Sequence, residues 1–386
     1  MTNINKQSKA YTGKLPHVFY EYRNNFVVWI ESINKYYILN ELAWYILVQY
    51  DLGRTEDEIM NQLSSSFRIP KLKAKFFTCE FCNKLMEIVK HEKADVPRFV
   101  PDLQGIDTKK YTHKIYKLGN KNVKISYQDE TLQRILHPLF SQLETFNNSS
   151  YKHSITISFH DKQYYLKVSG QKTEQFDENQ TDRLKGRLFI TIASILHKKA
   201  EQDWMMAGHA AAITKNNKTI LIPAKSGSGK TTLAAILKSQ GCTVISDDFV
   251  PLDIDGFAHY FPAAMSIKSG AVDILKKSYP ALESTPYQLQ SREKLVRYLV
   301  HGRMSDEDLV PRPVQTVLFV HYDPDVPCKL KRLVRFEGFN LLVQQSYIMP
   351  GQHSVLAFMQ WSMSVKYYEL TYSNTEKMLQ AINSIL

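Results

Sequence analysis

The residues with the clearest chemical signature lie between Thr219 and Asp248. A glycine-rich segment, Ser226 to Thr232 (SGSGKTT), follows the apolar run Ile220 to Ile222 and precedes a helical pattern. Strand, glycine loop and helix in this order form the context of a phosphate-binding P-loop. Glycines let backbone N–H groups turn towards phosphate oxygens, and the helix N-terminus adds partial positive charge. The segment therefore predicts a nucleotide-binding site.

Each residue type in this segment has an expected role. Lys230 is expected to reach the β and γ phosphates, and Thr231 to coordinate Mg²⁺. Ala224 stands where the full P-loop pattern has its first glycine, a replacement that costs little if φ there is negative. The alternative, a glycine- and serine-rich turn with an incidental lysine, does not account for the flanking patterns. The residues expected to bind nucleotide are Ser226, Gly227, Ser228, Gly229, Lys230, Thr231 and Thr232.

Two carboxylates follow the next predicted strand. The helical pattern ends at Gly241, and the β run Thr243 to Ile245 leads to Ser246, Asp247 and Asp248. Carboxylates at the tip of a strand that follows a P-loop helix suit a Mg²⁺ ligand and a catalytic base. The two aspartates therefore extend the predicted site from nucleotide binding to phosphoryl transfer.

The composition is that of a folded protein with more than one domain. The chain has 386 residues, 44% of them hydrophobic and 23% charged, which predicts two or three domains with apolar cores. No apolar run approaches the ~18 residues of a membrane span, and the first residues lack the apolar segment of a secretory signal. We therefore expect a cytoplasmic protein that does not associate with a membrane.

Charge and cysteine usage narrow the ligand classes. A formal net charge of +11 favours anionic ligands such as nucleotides, acidic peptides or nucleic acid. The cations are dispersed and no nucleic-acid-binding motif is present, so nucleic acid is not the expected partner.

Cys79 and Cys82 form a CxxC pair in a helical pattern, without a second pair or a nearby histidine, which favours core thiols over a metal or redox site.

The N-terminal part predicts a small α+β module. Residues 1 to about 16 are polar and are expected to be frayed. Two strand-like runs, Phe26 to Ile30 and Lys35 to Leu39, precede a helix capped by Asn40. A capping box at Thr55 opens a second helix, and Pro70 opens a third. A β-hairpin followed by three helices indicates a winged-helix-like module.

The order of these pieces resembles the PqqD family of small peptide chaperones, whose fold also recognises leader peptides. The resemblance covers about residues 18 to 92 and rests on the strand Tyr36 to Asn40, the aromatic-bearing helix, the segment Asp51 to Thr55 (DLGRT) and two further helices. It implies that a precursor peptide, or its leader, adds as a strand to the module's sheet edge. It also implies other peptide-modifying enzymes as partners. The alternative is that this module has only a structural role and binds no ligand.

The next part of the chain is predicted to comprise a linker and a scaffold. Residues 93–109 carry prolines and charges without periodicity, which is typical of a linker. Gly170 to Arg183 is expected to be a polar loop. Within residues 110–204 we predict strands at 123–127, 154–158 and 164–168 and helices at 132–146 and 184–198. No residue of this part is predicted to take part in chemistry.

Further elements are predicted around the P-loop. Met205 to Ile213 predicts one apolar strand that contains His209 and forms a hairpin with the P-loop strand. Ser291 to Pro313 contains cations, polar residues and prolines. This composition predicts a mobile, basic loop that binds substrate; the alternative is the solvent-exposed face of a helix. Residues 315–320 predict a core strand and residues 376–386 a docking helix.

The second half of the chain resembles the HPr kinase/phosphorylase superfamily, and more closely the HPr-kinase-related proteins found beside peptide-modification enzymes. The resemblance spans about residues 110 to 386, and its motifs are the His-Ala-Ala at His209, the P-loop, Ser246-Asp247-Asp248 and Ile267-Lys268. It implies an active-site histidine at His209 and an acidic pair that handles Mg²⁺ and the substrate's hydroxyl proton. The later glycine- and arginine-rich signature and a glutamate after the P-loop are missing, so HPr as substrate and the reverse phosphorylase reaction are not implied. True HPr kinases form hexamers, and a homo-oligomer stays open for this chain.

The expected architecture is therefore α/β. A P-loop catalytic domain of HPr-kinase-like and PEP-carboxykinase-like fold occupies residues 205–386, with its scaffold at 110–204. A winged-helix-like α+β domain at residues 18–92 and the linker at 93–109 precede it.

A kinase that uses ATP and acts on a peptide hydroxyl, with serine favoured, explains both halves of the chain. Mg²⁺, bound by Thr231 and Asp247, and the Lys230 ammonium are expected to draw charge from the phosphates. Asp248 is expected to accept the hydroxyl proton, and His209 to orient Asp248 or to contact the γ phosphate. Two further candidates for stabilising the transferring phosphoryl group are Lys268 and Arg297.

Three other functions stay open at this point. The first is a kinase for a small metabolite or a free amino acid, with a structural N-terminal module. The second is a non-catalytic, ATP-sensing peptide chaperone, against which the complete set of lysine, threonine and aspartates argues. The third is a DNA-binding winged helix with a regulatory ATPase, which draws on the net charge, but residues 40–66 contain no helix rich in Arg or Asn.

Overall fold

The computed structural model describes residues 8–11, 17–91, 97–101, 111–145, 150–224, 227–291, 294–300, 302 and 304–386. The protein is a mixed α/β structure that divides into two compact units. The first comprises Met1–Val96 with Ile348–Ser364, and the second Pro97–Tyr347 with Val365–Leu386. Among the described helices, none has the length and apolarity needed to cross a bilayer.

The first unit is built on an antiparallel sheet in the order β1-β2-β3-β4. Its strands and helices are β1 (Ser8–Tyr11), β2 (His17–Tyr22), β3 (Asn25–Ile30), β4 (Lys35–Asn40), α1 (Glu41–Asp51), α2 (Glu56–Ser66), α3 (Lys71–His91) and the later helix α9 (Gln352–Ser362). The predicted hairpin corresponds to β3 and β4, and the three predicted helices are present. The expectation that residues 1–16 are frayed is wrong for Ser8–Tyr11, because β1 pairs along its whole length with β2.

Local sequence signals explain where these helices begin. Asn40 accepts a hydrogen bond from the Ala43 N–H at 2.9 Å, and Thr55 and Glu58 form the predicted capping box. Trp44 of α1 stacks on Phe26 of β3 with ring centroids 4.7 Å apart, which fixes the helix against the sheet. In the later helix α9, Phe358 meets Tyr36 edge-on, and the helix packs against β2.

The second unit begins with a sheet in the order β5-β10-β9-β8-β7-β6. The elements are β5 (Arg98–Val100), β6 (Thr112–Leu118), β7 (Lys121–Tyr127), α4 (Glu130–Phe140), β8 (His153–His160), β9 (Gln163–Val168), β10 (Thr173–Asp177) and α5 (Thr181–His197). The predicted strands and the helix predicted at 184–198 are present, but three predictions fail. The helix predicted at 132–146 ends at Phe140, where a short 3-10 helix, Ser141–Leu143, follows, and residue 146 lies outside the described residues. The predicted linker contains β5, and the predicted polar loop contains β10, whose Glu174 is buried because Arg187 of α5 pairs with it at 2.7 Å.

A larger sheet follows, with strands in the order β14-β12-β13-β20-β16-β15-β11-β22, while β23 pairs with β20 and β21. The strands are β11 (Trp204–Gly208), β12 (Ala210–Lys215), β13 (Lys218–Pro223), β14 (Thr243–Ser246), β15 (Val250–Asp253), β16 (Phe257–Ala258), β20 (Arg312–Tyr322), β21 (Lys329–Arg332), β22 (Ser346–Ile348) and β23 (Lys366–Tyr372). The helices are α6 (Lys230–Ser239), α7 (Ser269–Leu275), α8 (Arg335–Val343) and α10 (Thr375–Asn383), and a small sheet is formed by β17 (Met265–Ile267), β18 (Gln288–Ser291) and β19 (Lys294–Leu299).

The centre of this sheet is parallel, because β13 pairs in parallel with β20, and β20 with β23. Alternate residues of β13, such as Ile220 and Ile222, pack in one apolar core with α6, α7 and α10. Since the three strands run in one direction, their carboxyl ends meet at one edge of the sheet. Ligands bind outside this edge in open α/β sheets.

Two predictions are corrected in this region. Met205 to Ile213 forms two strands, β11 and β12, rather than one, and His209 lies at the break between them. β12 forms the predicted hairpin with β13. Within Ser291 to Pro313, residues 294–299 form strand β19 instead of a loop or a helix face, because β19 pairs with both β17 and β18. Arg292, His301 and Arg303, which contribute to the basic character of this segment, lie outside the described residues.

Candidate active site

The described glycines of the predicted P-loop adopt the backbone that their type allows. Gly227 has φ 94° and Gly229 φ 91°, a region that side chains with a Cβ rarely enter. Ala224 is not among the described non-glycine residues with positive φ, which explains why alanine is tolerated there. Ser226 lies outside the described residues, so its predicted role stays a prediction.

Gly229 is also fixed by its neighbours on the parallel strands. A Cβ added at this position would lie 2.9 Å from Tyr372 Oη and 3.5 Å from Tyr322 Cβ. Tyr322 is the last residue of β20 and Tyr372 the last residue of β23, so the ends of these strands contact the loop just before α6 begins. Glycine is therefore required here for space as well as for conformation.

Lys230 lies between the two predicted aspartates. Its Nζ atom is 2.9 Å from Asp248 Oδ1 and 3.4 Å from Asp247 Oδ1, and only 4% of the side chain is exposed. Burial opposes its charge, yet the two carboxylates outweigh burial and raise the pKa of Lys230. The lysine is therefore a buried cation held by two anions at the N-terminus of α6.

The two aspartates have opposite environments. Burial, reinforced by the charge of Asp248, raises the pKa of Asp247, whose side chain is completely buried. Burial also disfavours ionisation of Asp248, but the charges of Lys230, His209 and Lys185 outweigh it and hold the pKa of Asp248 below its usual range. The two carboxyl groups therefore titrate as one system, and as pH rises Asp248 loses its proton before Asp247 does.

Asp247 also provides the donors that a magnesium ion needs. Thr231 Oγ1 donates to Asp247 Oδ1 at 3.3 Å, and within the described residues Asp247 Oδ2 and Ser228 Oγ are buried without a hydrogen-bond partner. No group of three or more His, Cys, Asp or Glu in the described part of the chain forms a protein-only metal cage. Mg²⁺ does not require one, since it commonly binds one or two carboxylates together with phosphates and water. The hydroxyl and the carboxylate fit such an ion.

His209 stands beside Asp248 at the start of the hairpin. Its Nδ1 lies 3.3 Å from Asp248 Oδ1, and 46% of its side chain is exposed. Backbone hydrogen bonds fix it, because its N–H donates to Gln345 O and its carbonyl accepts from Ala224 N–H. Burial against the cluster lowers the pKa of His209, and the charge of Asp248 partly opposes this. A neutral histidine in reach of Asp248 is therefore the resting state near neutral pH.

The backbone at Asp248 is unusual. Its φ of 71° lies in the left-handed region, which non-glycine residues occupy at a cost, although aspartate tolerates it better than most. This conformation follows directly after β14 and turns the carboxylate of Asp248 towards Lys230 and His209. Strain of this kind clusters at functional sites.

Lys268 and Arg297 lie near each other at the small sheet formed by β17, β18 and β19, and β17 packs against α6. Lys268 directly follows β17 and is exposed, and Ile267 pairs with Arg297 of β19. Arg297 donates to the carbonyls of Leu282 and Glu283 at 2.6 and 2.7 Å and covers the Tyr287 ring. These contacts give Arg297 a local structural task, and phosphate contacts by Lys268 and Arg297 stay predictions.

Sequence reasoning missed several residues near the cluster. Lys185 of α5 acts on Asp248 electrostatically, although it lies in the part predicted to hold no chemistry. Burial raises the pKa of Tyr298 to about 12, with Asp248 contributing. Tyr322 and Tyr372 border the P-loop. Residues 315–320 were predicted to form a strand, but the parallel pairing that places Tyr322 at the ligand edge of the sheet has no local sequence signal.

Comparison with known proteins adds little to this geometry. No protein-family model and no curated protein matches the chain. A solved structure, the Hpr(Ser) kinase/phosphatase from Coxiella burnetii, aligns with 46% of this chain and 92% of its own, at 12% identity and a TM-score of 0.23. A likeness at this level establishes neither a shared fold nor a shared activity. The function has to be inferred from the residues of the site.

Proposed function

We propose that the protein is an ATP-dependent kinase that transfers the γ-phosphoryl group to a hydroxyl, serine in particular, of a peptide recruited by the N-terminal unit. One observation carries the proposal. Lys230 follows Gly229 in a loop with two glycines of positive φ, and it is held between Asp247 and Asp248 at the N-terminus of a helix. Phosphoryl transfer needs this combination of a phosphate cradle, a cation and a nearby base.

The loop and its lysine would bind the triphosphate. Backbone N–H groups around Gly227 and Gly229 offer donors to phosphate oxygens, and Lys230 offers a charge that is already desolvated. When Lys230 turns to the phosphates, its ion pair with Asp248 weakens. The pKa of Asp248 then rises, so the carboxylate becomes a better base as the donor binds.

Asp248 would act on the acceptor. Its carboxylate takes the proton of the attacking hydroxyl, whose oxygen forms a bond to the γ phosphorus as the bond to the bridging oxygen breaks and ADP leaves. His209, 3.3 Å from Asp248 Oδ1, orients this carboxylate. Mg²⁺ held by Thr231 and Asp247 supplies charge neutralisation at the phosphates.

The recruitment of a peptide rests on the first unit's sheet. Among the described residues, β4 stands at the end of the order β1-β2-β3-β4, so its outer edge carries backbone donors and acceptors for an added strand. Tyr37 and Leu39 of β4 pack against the apolar core of this unit, so an added peptide would be bound through backbone pairing at this edge. A kinase of free serine or another small hydroxyl compound would use the same catalytic cluster without this edge.

Phosphate transfer to defined acceptors tests the proposal. The full chain is incubated with ATP, Mg²⁺ and either serine-containing peptides encoded beside the gene or free serine, and products are weighed by mass spectrometry. We expect one added phosphate on a peptide, lost in Asp248→Asn. Asp273→Asn, at an exposed aspartate on α7, serves as the matched control and should retain transfer.

The outcomes separate the candidate functions. Transfer to free serine but not to peptides would replace the peptide kinase by a small-molecule kinase. ATP binding without transfer to any acceptor would favour the sensor. Transfer that persists in Asp248→Asn would overturn the assignment of the base.

A further inference from the structure

Two tyrosines form a ring pair at the edge of the sheet beside the P-loop. Tyr322 and Tyr372 are register partners at the ends of β20 and β23, with ring centroids 5.5 Å apart at an angle of 67°. Asp323 N–H donates to the Tyr372 carbonyl at 3.0 Å, which fixes the chain where β20 ends. The pair is therefore held by backbone pairing as well as by ring contact.

The two rings differ in exposure. Tyr372 is buried, and its hydroxyl would lie only 2.9 Å from a Cβ added at Gly229. Tyr322 is 48% exposed, although its own Cβ also lies against Gly229. The buried ring thus supports an exposed ring that stands directly beside the phosphate-binding loop.

The strand order tells which part of a nucleotide this ring can meet. In the order β14-β12-β13-β20, the strand β13, which leads into the P-loop, lies between β14 on one side and β20 on the other. Asp247 and Asp248 follow β14 on one side, whereas Tyr322 ends β20 on the other. A triphosphate on the loop that directs its γ phosphate to Asp248 directs its nucleoside away from Asp248, towards Tyr322.

We propose that the exposed face of Tyr322, supported by Tyr372, is the stacking platform for the base of the nucleotide bound at the P-loop. This inference rests on the proposed nucleotide site. Stacking of a base on an aromatic ring tolerates different bases, because every base has a π face. The platform therefore adds affinity for a nucleoside without selecting adenine by hydrogen bonds.

Binding of two ligands tests the platform. Calorimetry on the full chain measures Kd for ADP and for inorganic tripolyphosphate, which lacks a base, in the wild type and in Tyr322→Ala, Tyr322→Phe and Lys230→Ala. We expect Tyr322→Ala to weaken ADP binding about tenfold and to leave tripolyphosphate binding unchanged. Tyr322→Phe should bind ADP within about twofold of the wild type, because the ring remains. Tyr151→Ala removes another exposed tyrosine and serves as the control.

Each other result has a distinct meaning. Unchanged ADP binding in Tyr322→Ala, or equally weakened binding of ADP and tripolyphosphate, would overturn the proposal that Tyr322 stacks on the base. Lys230→Ala tests independently whether the loop binds phosphate. A wild type that binds neither ligand, or a Lys230→Ala variant that binds both normally, would overturn the proposed nucleotide site itself.

Discussion

Lys230 Nζ lies 2.9 Å from Asp248 Oδ1, so the cation expected to bind phosphate is paired with the carboxylate expected to accept a proton. The pairing couples the two halves of the proposed reaction. A phosphate that attracts Lys230 releases Asp248 from the charge that lowers its pKa. The base is therefore weak until the donor is in place.

Removing this buried cation should destabilise the fold. In Lys230→Met, Asp247 and Asp248 remain as neighbouring carboxylates without their cation, and we expect a loss of about 3 kcal/mol in the free energy of unfolding. The pKa of Asp247 then rises further, so the loss should be larger at pH 8 than at pH 5. Urea denaturation followed by tryptophan fluorescence measures both. Adding Asp247→Asn should restore part of the stability, and a Lys230→Met variant as stable as the wild type would contradict the account.

His209 should affect the rate through Asp248. In His209→Gln we expect kcat to fall about 10- to 100-fold, because Asp248 loses the group that orients it. In the wild type, protonation of His209 on acidification places a second cation beside Asp248 and weakens the base. The acid side of the profile of kcat against pH should therefore be less steep in His209→Gln. An unchanged profile with reduced kcat would point to a purely structural role.

His197 should make the fold sensitive to acid. Burial lowers the pKa of His197 to about 4, although its Nε2 donates to the Tyr260 carbonyl at 2.7 Å. Between the ordinary histidine pKa of about 6.5 and about 4, the unfolded chain binds a proton that the folded chain does not, so stability falls as pH falls. Urea denaturation between pH 7 and pH 5 should show a smaller fall in His197→Gln. His321→Gln, at an exposed histidine, is the control and should follow the wild type.

Two helical glycines should respond to alanine in opposite directions. A Cβ at Gly338 of α8 would lie 2.2 Å from Tyr367 Cγ, whereas a Cβ at Gly186 of α5 would meet nothing within 4 Å. Gly338→Ala should therefore lower the free energy of unfolding by about 1–3 kcal/mol through overpacking. Gly186→Ala should raise it by about 0.5–1 kcal/mol, because alanine favours a helix. Thermal unfolding of both variants shows whether each substitution stabilises or destabilises the protein. A change in the same direction in both variants would refute the packing argument.

The proximity of the candidate site residues could be predicted from sequence because its signals are local. Lys230 and Asp248 are 18 residues apart, within one strand, loop, helix and strand whose patterns are each readable. The hairpin that brings His209 to the loop is equally short, since β12 and β13 adjoin in the chain. Such contacts follow from neighbouring elements without knowledge of the whole topology.

The other contacts could not be predicted because they depend on distant pairing. Tyr322 and Tyr372 reach Gly229 through the parallel arrangement of β13, β20 and β23, which no local pattern specifies. Strand β10 was missed for another reason. Glu174 has the appearance of a solvent-facing residue, and its burial depends on Arg187 from a later helix.

The helix α9 belongs with a sheet made from the opposite end of the chain. During translation, β2 emerges long before Gln352–Ser362, so the first unit cannot reach its final packing until these residues have been synthesised. A nascent or truncated chain that ends before α9 leaves β2 and Tyr36 without this helix. A fragment cut after the first three helices is therefore not equivalent to the unit that it begins.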